Sequence, residues 1–243
     1  MALKYKFEEK LIEGLIKARP NRFLMEVKIG SKVITCHCPS TGRIGDIIFK
    51  DIPCLLSKSK NKERKTPYTV EAISLNSVES KNKKWIGINQ TKMNHYVEFF
   101  LVNDKFPKMI QGKSIQREKK FGDSRIDFLI DENYLEVKMP LINLPSKKGA
   151  EKARPSKFDS FDRLIKHFGD LAKSLKKGNK AIILLTYQYG AKPFTPPKLD
   201  GTNNRILIAA KAASKKGVEN WQANFKIDSN GITLTDYFKL NNF

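Results

Sequence analysis

The stretch Arg-Glu-Lys-Lys-Phe-Gly-Asp-Ser-Arg-Ile-Asp-Phe-Leu-Ile-Asp-Glu-Asn-Tyr-Leu-Glu-Val-Lys-Met-Pro-Leu, residues 117–141, decides how the second half of the chain folds. It predicts two β-strands, Ser124–Ile130 and Tyr134–Lys138, because the turn-forming residues Asp131-Glu132-Asn133 separate them. Alternation along the first strand sets Asp127 on the face opposite the apolar residues Ile126, Phe128 and Ile130.

The same hairpin brings three charged side chains together. Glu136 and Lys138 lie on one face of the second strand, since side chains alternate. If the hairpin closes through a two-residue loop at Asp131-Glu132, Asp127 stands directly opposite Glu136. Two carboxylates and an ammonium group therefore converge on one patch.

This convergence predicts a metal site. Two carboxylates about 5 Å apart repel by roughly 3 kcal/mol at an effective dielectric constant of about 20, and the repulsion raises one pKa unless a cation offsets it. Lys138 offsets part of the repulsion, and Mg²⁺ or Mn²⁺ held by Asp127 and Glu136 would remove most of it. An acid followed nine residues later by Glu-x-Lys is the spacing of the metal-dependent PD-(D/E)xK nucleases. The alternative is a surface hairpin with an ion pair.

The net charge indicates a polyanionic partner. The chain has 243 residues, with 46 Lys plus Arg against 25 Asp plus Glu, and a formal charge of +21. Such a field attracts nucleic acid, with DNA expected first and RNA as the alternative. The other explanation is a lysine-rich solvated surface without a partner. The sequence leaves the oligomeric state open, a homodimer included.

Cysteine content and hydropathy bear on the compartment. Cys36, Cys38 and Cys54 are odd in number, and the first two are expected to be buried strand residues rather than ligands with His37. Leu11–Ile16 is too short and polar for a signal peptide, and no apolar run reaches transmembrane length. We therefore expect a cytoplasmic protein without a membrane partner.

The first 88 residues read as short strands separated by turns, which favours a small OB-type barrel. The predicted strands are Arg22–Ile29, Lys32–His37, Ile47–Phe49, Pro53–Ser57, Tyr68–Leu75 and Trp85–Ile88.

A basic loop interrupts these strands. Its cations are Lys58, Lys60, Lys62, Arg64 and Lys65, and we expect them to contact nucleic acid. Tyr68, next to the loop, is a candidate for stacking on a base, although an aromatic residue that opens a strand usually packs in a core.

After residue 88 the apolar period changes to that of a helix. Thr91–Val102 is predicted as a helix with Thr91 as its N-cap and His95 facing solvent. A strand at Ser114–Lys119 leads into the central hairpin. Residues 143–157 have no period and predict a loop over the carboxylates, with Lys147 and Lys148 placed to meet a phosphate backbone.

The remaining sequence alternates helices and strands. A strong apolar stripe begins a helix at Phe161, with His167 at the edge of the stripe and Lys166 on the polar face. Ala181–Tyr187 is a buried strand, and Asn203–Lys216 is a further helix. The last segments, Glu219–Ile227 and Ile232–Leu234, are predicted as edge strands, which completes a mixed sheet flanked by helices.

Several motifs resemble one family over nearly the whole chain, the sugar fermentation stimulation protein A family. They include His37–Ile44 with Ser40 where an asparagine is usual, Arg64-Lys65-Thr66-Pro67-Tyr68-Thr69-Val70-Glu71, and Asn89–Asn94 with one inserted residue. Phe121–Leu129, Leu135–Leu141, Lys166-His167 and Gln188 also match.

The resemblance implies an α/β (α+β) chain of two domains: residues 1–88 as an OB-like domain, and residues 89–243 as a restriction-endonuclease-like mixed sheet flanked by helices. It implies DNA binding, with Asp127 and Glu136 as metal ligands, Lys138 as the catalytic lysine and Glu118 as a further acid. On this basis Arg125, Lys166, His167 and Gln188 join the expected nucleic-acid contacts.

Three functions follow from these observations. The first is a metal-dependent nuclease acting at Asp127, Glu136 and Lys138. The alternative is a non-enzymatic DNA-binding regulator of sugar metabolism genes whose nuclease-like site is vestigial. The nuclease and the regulator share the basic surface, and the intact set of an acid and Glu-x-Lys favours the nuclease. A third, less favoured function is a chaperone that binds single strands or RNA through the barrel alone.

Overall fold

A computed structural model describes residues 2–40, 42–45, 47–122, 124–141, 144, 161–196 and 204–241. Within these residues the chain forms a six-stranded sheet, a seven-stranded sheet and three α-helices. This α+β architecture agrees with the predicted fold class. None of the helices in the described ranges combines the length and the hydropathy needed to cross a bilayer.

The first sheet closes into a five-stranded barrel. Its strands are β2 (Ile12–Asn21), β3 (Leu24–Ile29), β4 (Lys32–His37), β5 (Ile52–Lys58) and β6 (Tyr68–Ser74). They pair in the order β4-β3-β2-β5-β6, and a parallel pairing of His37 with Thr69 joins β4 to β6. This is the strand order of an OB-type barrel, as predicted. A short strand, β7 (Trp85–Gly87), extends the sheet beyond β6.

Small and sulfur-containing residues fill the barrel interior. Cys36 in β4 is fully buried, as predicted, and burial raises the pKa of its thiol to about 11. Cys38 is also fully buried but lies one residue past the end of β4, so its prediction as a strand residue is wrong. Cys54 in β5 is fully buried as well. Gly14 in β2 allows close strand packing, because a Cβ atom there would lie 2.7 Å from Cγ1 of Val27.

Two strand predictions in this half fail. Ile47–Phe49 forms no strand: Ile47 is buried, whereas Ile48 is 45% exposed. Strand β2 was not predicted, since Glu13, Gly14 and Lys17 interrupt its apolar pattern. Only its pairing with β3 and β5 gives these polar residues a strand conformation.

The second sheet is mixed and has the order β1-β13-β12-β11-β10-β9-β8. The pairings of β10 with β11 and of β11 with β12 are parallel, and the other pairings are antiparallel. The strands are β1 (Lys4–Lys6), β8 (Ile115–Phe121), β9 (Ser124–Ile130), β10 (Asn133–Lys138), β11 (Ala181–Tyr187), β12 (Glu219–Asp228) and β13 (Gly231–Lys239).

The prediction that the last two strands are edge strands is wrong. Strand β12 lies between β11 and β13, and β13 is covered by β1 from the N-terminus. A three-residue strand has too little pattern to be recognised before its partner is known. Because β1 belongs to the second sheet, the first residues of the chain cross to the other sheet, and the domain boundary at residue 88 stays a prediction.

Helices cover both faces of the second sheet. Helix α1 (Met93–Val102) shares one apolar core with the barrel and with sheet residues such as Phe225, whose ring lies 5.6 Å from that of Phe100. Helices α2 (Phe161–Ser174) and α3 (Asn204–Lys215) form a second core with Ile183 on the opposite face.

The start of α1 differs from the prediction. Asn89, not Thr91, is the capping residue: its side chain accepts hydrogen bonds from the backbone N–H groups of Thr91 and Lys92. The cap opens a short 3₁₀ turn, Gln90–Lys92, that leads directly into α1. The predicted apolar stripe of α1 and the exposure of His95 are confirmed.

Candidate functional site

The β9–β10 hairpin has the predicted register. Ile130 pairs with Asn133, Leu129 with Tyr134 and Phe128 with Leu135, around a two-residue turn at Asp131-Glu132. Asp131 adopts a positive φ of 50° and its carboxylate accepts the backbone N–H groups of Lys113 and Ser114, which fixes the turn. The next pair along this ladder would be Asp127 and Glu136.

At the position of Asp127 and Glu136, hydrogen bonds to side chains replace the backbone hydrogen bonds between β9 and β10. The amide of Asp127 donates to Oε2 of Glu136 at 3.3 Å, and the amide of Val137 donates to Oδ2 of Asp127 at 2.8 Å. Strand β10 continues its pairing with β11 through Glu136 and Ile183. The two carboxylates therefore occupy the gap that opens where β9 leaves β10.

Strand β8 is also irregular where it runs beside Asp127. Its pairing with β9 passes from Arg117–Phe128 to Lys119–Ile126 without a Glu118–Asp127 pair, and Glu118 has a φ of +51°. Alternation along β9 breaks here as well: Phe128 belongs to the α1-side core but Ile126 to the α2-side core, so the prediction that they share a face is wrong.

Asp127 forms no ion pair with any of the described residues, and Lys138 acts on it only through its charge. Oδ1 of Asp127 accepts a hydrogen bond of 2.8 Å from the side chain of Asn94 on α1. Burial, followed by the negative charge of Glu136, raises the pKa of the Asp127 carboxyl above its usual value.

Glu136, by contrast, is held as a carboxylate. It is only 1% exposed, and its Oε1 contacts both Nδ1 of His167 and Nζ of Lys138, the latter at 2.5 Å. Burial alone would raise its pKa, but the hydrogen bonds and charges of His167 and Lys138 together lower the pKa below the usual value. The pKa values of the two acids of the site are thus shifted in opposite directions.

Helix α2 positions His167. The residue was predicted at the edge of the apolar stripe. It is 6% exposed and contacts the Glu136 carboxylate from the face of the sheet that α2 covers. Nζ of Lys138 lies 3.4 Å from Nδ1 of His167, which closes a three-residue cluster. A hydrogen bond from Ser124 to Asp170 ties the same helix to β9.

One contributor to the site was not predicted as a site residue. Asn94 binds Asp127 through a short polar side chain, and nothing in its local pattern separates it from ordinary surface residues. Asn94 stands in the Asn89–Asn94 motif, which is the only sequence signal that points to it.

The donor set of the acidic pair fits a hard divalent cation. Asp127 and Glu136 offer carboxylate oxygens, and Mg²⁺ is commonly held by one or two carboxylates with water or phosphate oxygens in the other positions. In the described part of the chain there is no group of three or more His, Cys, Asp or Glu residues arranged to hold a metal. Asp127 has a raised pKa and forms no ion pair within the part of the chain that the structure describes, so it is the acid whose charge a cation would compensate.

The basic loop lies where OB folds bind ligands. It joins β5 to β6, the fourth and fifth strands of the barrel, and that loop flanks the binding face in OB folds. Lys58, Lys60, Lys62 and Lys65 are exposed, whereas Arg64 is half-buried and donates to Thr69 at 3.3 Å.

Other predicted contacts are scattered. Glu118 and Arg125 form an exposed ion pair of 3.5 Å across β8 and β9, and Lys166 is exposed on α2. Gln188 has no exposed surface, so its predicted contact with nucleic acid stays a prediction that its burial does not favour. Lys147 and Lys148 lie outside the described residues.

Comparisons with known proteins give one consistent picture. A family model described as the SfsA N-terminal OB domain matches residues 18–88. The sugar fermentation stimulation protein homolog of Clostridium perfringens (strain SM101 / Type A) is 31% identical over 94% of this chain and 96% of its own length. The homolog of Pelagibacter ubique (strain HTCC1062) is 29% identical over 97% of this chain and 99% of its own length.

One solved structure matches the whole fold. It is described as the structure of Pyrococcus furiosus SfsA in complex with Ca²⁺, and it superposes with a TM-score of 0.76 over 98% of each chain. Its sequence identity of 20% makes this a likeness of fold.

Proposed function

This chain belongs to the sugar fermentation stimulation protein family, and from that membership we propose that it binds nucleic acid and hydrolyses phosphodiester bonds with a divalent metal. The observation that carries the proposal is the acidic pair. Asp127 and Glu136 meet in a gap between two strands, and Lys138 bonds to Glu136 at 2.5 Å.

The metal is proposed on the chemistry of the donors. Asp127 and Glu136 would hold Mg²⁺ or Mn²⁺ through their oxygens, and the Pyrococcus furiosus relative was solved with another hard cation, Ca²⁺. When bound, such a cation activates water and stabilises charge on a phosphate group.

The remaining residues prepare the site for this chemistry. Lys138 is partly exposed, with 30% of its side chain accessible, so its ammonium can face both Glu136 and a phosphate oxygen that gains negative charge. His167 is a positioning residue: it contacts Glu136 from α2 and keeps that acid ionised. Asn94 holds the Asp127 carboxylate in its orientation from α1.

Nucleic-acid binding is proposed on charge and topology. The net charge of +21 attracts a phosphate backbone, and the exposed lysines of the basic loop stand beside the ligand-binding face of an OB barrel. DNA is the expected substrate, and RNA is the alternative that the assay should include.

The proposal is tested by incubating end-labelled DNA and RNA, single- and double-stranded, with the wild-type protein in Mg²⁺ or Mn²⁺. We expect cleavage that requires metal, that Asp127→Asn and Lys138→Met each reduce at least 100-fold, and that chelation stops. Asp104→Asn is the matched control, because this exposed Asp in the left-handed region accepts Asn without strain. Tight binding without cleavage of any substrate in either metal would refute the enzymatic half.

One observation favours the second candidate, a non-enzymatic DNA-binding regulator. Oε1 of Glu136 already contacts Nζ of Lys138 and Nδ1 of His167, so the negative charge of this acid is compensated without a metal. Under this alternative, Asp127→Asn leaves DNA affinity unchanged in the presence and the absence of Mg²⁺, and the wild-type protein never cuts.

A further inference from the structure

A cavity separate from the acidic pair lies between the barrel and α1. Its volume is about 490 Å³, within the range of about 300 to 1,000 Å³ for small-molecule sites. The N-terminal segment, strands β5 and β6 and the start of α1 enclose it, and the residues that matter below are Tyr5, Lys58, Tyr68, Lys92, His95 and Tyr96.

One wall of this cavity contains an unsatisfied hydroxyl group. Tyr96 is 1% exposed, and within the described part of the chain its hydroxyl oxygen has no hydrogen-bond partner. Buried polar groups nearly always find a partner. Because Tyr96 lines the cavity, a polar ligand that enters beside its ring is the group that could supply this missing hydrogen bond.

A buried acid anchors the cation beside it. Glu71 is 1% exposed and accepts hydrogen bonds from Ser57, from Asn89 at 2.7 Å and from Nζ of Lys92 at 2.8 Å. Lys92 itself is 43% exposed. Since an ammonium group has three donors and one is used here, Lys92 is fixed in place while it can still donate to an anion in the cavity.

Aromatic and cationic groups share the remaining lining. Tyr68 at the start of β6 and Tyr5 supply ring faces or edges, and the rim holds Lys10, Lys58 and Lys60 against Glu8 and Glu9. Lys60 and Glu8 pair with one another, both 75% exposed, so this ion pair is solvated and weak. The lining therefore combines aromatic rings with more lysine than glutamate side chains.

We propose that this cavity binds one nucleotide unit, with the base against Tyr68 and in hydrogen-bonding reach of the Tyr96 hydroxyl, and the phosphate on Lys58 and Lys92. Rings that stack and cations that neutralise phosphate are the two requirements for holding an unpaired nucleotide. The inference rests on the proposed function, and it narrows the substrate to a strand with at least one unstacked base.

Helix α1 connects the cavity to the acidic pair. Lys92 precedes its first residue, and Asn94, two residues later, donates to Asp127 at 2.8 Å. Because a helix rises 1.5 Å per residue, these two positions are about 3 Å apart along the axis. Two residues are also about 200° apart around the axis, so Lys92 and Asn94 point to nearly opposite sides of α1, and a strand held at Lys92 must pass around the start of this helix to reach Asp127.

The test uses the Asp127→Asn protein, in which cleavage is expected to be reduced at least 100-fold, and a single-stranded 12-mer with a central 2-aminopurine whose fluorescence reports stacking. We expect saturable quenching, weakened roughly tenfold in affinity by Tyr68→Leu and severalfold by Tyr96→Phe. Tyr134→Phe is the matched control, since this ring packs on Phe121 in the other core. Thermal melts of each variant verify folding.

The outcomes separate the two proposals. Quenching that is insensitive to both Tyr68→Leu and Tyr96→Phe overturns the cavity assignment and leaves the nuclease proposal standing. No oligonucleotide binding at any salt concentration overturns both. If free 5′-AMP competes with the oligonucleotide, the cavity also binds free nucleotides. If the tyrosine substitutions weaken binding but 5′-AMP does not compete, the cavity binds only nucleotides within a strand. Both results support nucleotide binding in the cavity.

Discussion

At the scale of single residues, the pKa values of the two acids of the site are shifted in opposite directions. Asp127 is shifted towards its protonated form by burial and by Glu136, whereas Glu136 is held ionised by His167 and Lys138. An acid whose folded pKa is raised favours the fold below its unfolded pKa and loses that contribution as pH rises through the folded pKa. For Asp127 this cost to stability is present at neutral pH.

Replacing Asp127 with Asn should therefore stabilise the protein while it abolishes cleavage. The substitution removes a buried like charge and keeps an oxygen for the Val137 amide, while Asn94, which donates to Oδ1 of Asp127, turns its side-chain amide over so that its oxygen accepts from the new Asn. We expect a gain of about 1 kcal/mol at pH 7, or roughly 2–4 °C in Tm, measured by thermal melts without metal. A lower Tm than wild type would show that the carboxylate pair is not strained.

The pKa shift of Glu136 changes stability with pH in the opposite direction. Its contribution to stability is present above its unfolded pKa and is lost as pH falls through the lowered folded pKa. The hydrogen bond of His167 is the largest single effect that lowers the pKa of Glu136, so removing His167 should raise this pKa. We expect His167→Ala to lose metal-dependent cleavage more at pH 6 than at pH 8, so that the acid limb of the pH profile moves to higher pH.

The control for this shift is His167→Gln, which keeps a side-chain donor next to Glu136 and should recover part of the profile. An equal loss at both pH values, with an unmoved acid limb, would mean that His167 acts only in packing α2 against the sheet.

At the scale of elements, the hairpin was predictable because its information is local. Alternation, turn chemistry and loop length fix the register of β9 and β10 within about fifteen residues, and the structure has that register. The break at Asp127 was not predictable: it depends on β8, where Glu118 leaves the ladder, and on α1, where Asn94 meets the carboxylate. Such contacts join residues far apart in sequence.

The cap of α1 gives a stability test at the same scale. Asn89 caps the 3₁₀ turn and also donates to the buried Glu71, whereas the exposed Thr91 contributes only a hydroxyl that donates to Asn89. We expect Asn89→Ala to cost about 2 kcal/mol and Thr91→Ala to cost about 0.5 kcal/mol, measured by urea unfolding. Equal costs would contradict the assignment of the cap.

At the scale of the whole molecule, sequence order predicted a barrel followed by a mixed sheet but not how the two are joined. Strand β1 crosses from the N-terminus to β13, and Gln188 packs its side chain between Met93 and Met139 while its carbonyl accepts the amide of Gly87. These contacts join residues that are distant along the chain, and Lys4–Lys6 has no periodicity that would announce its pairing.

The charge of the molecule predicts how strongly salt should weaken DNA binding. Replacing Lys58, Lys60, Lys62 and Lys65 together with Ala should lower the slope of log affinity against log salt by up to about 0.9 for each phosphate of duplex DNA that is no longer neutralised. The matched variant removes the same charge elsewhere, at Lys176, Lys177, Lys215 and Lys216, which lie near the ends of α2 and α3. Equal slopes for the two variants would show that the basic loop is merely solvated.

The central claim, that Asp127 and Glu136 jointly hold a divalent cation, is tested most directly by anomalous diffraction from crystals soaked in Mn²⁺. The account predicts a manganese peak bound by oxygens of both carboxylates, and its loss in crystals of the Asp127→Asn protein. Saturating Mn²⁺ that leaves no peak between the two acids, or a peak that persists in Asp127→Asn, would contradict it.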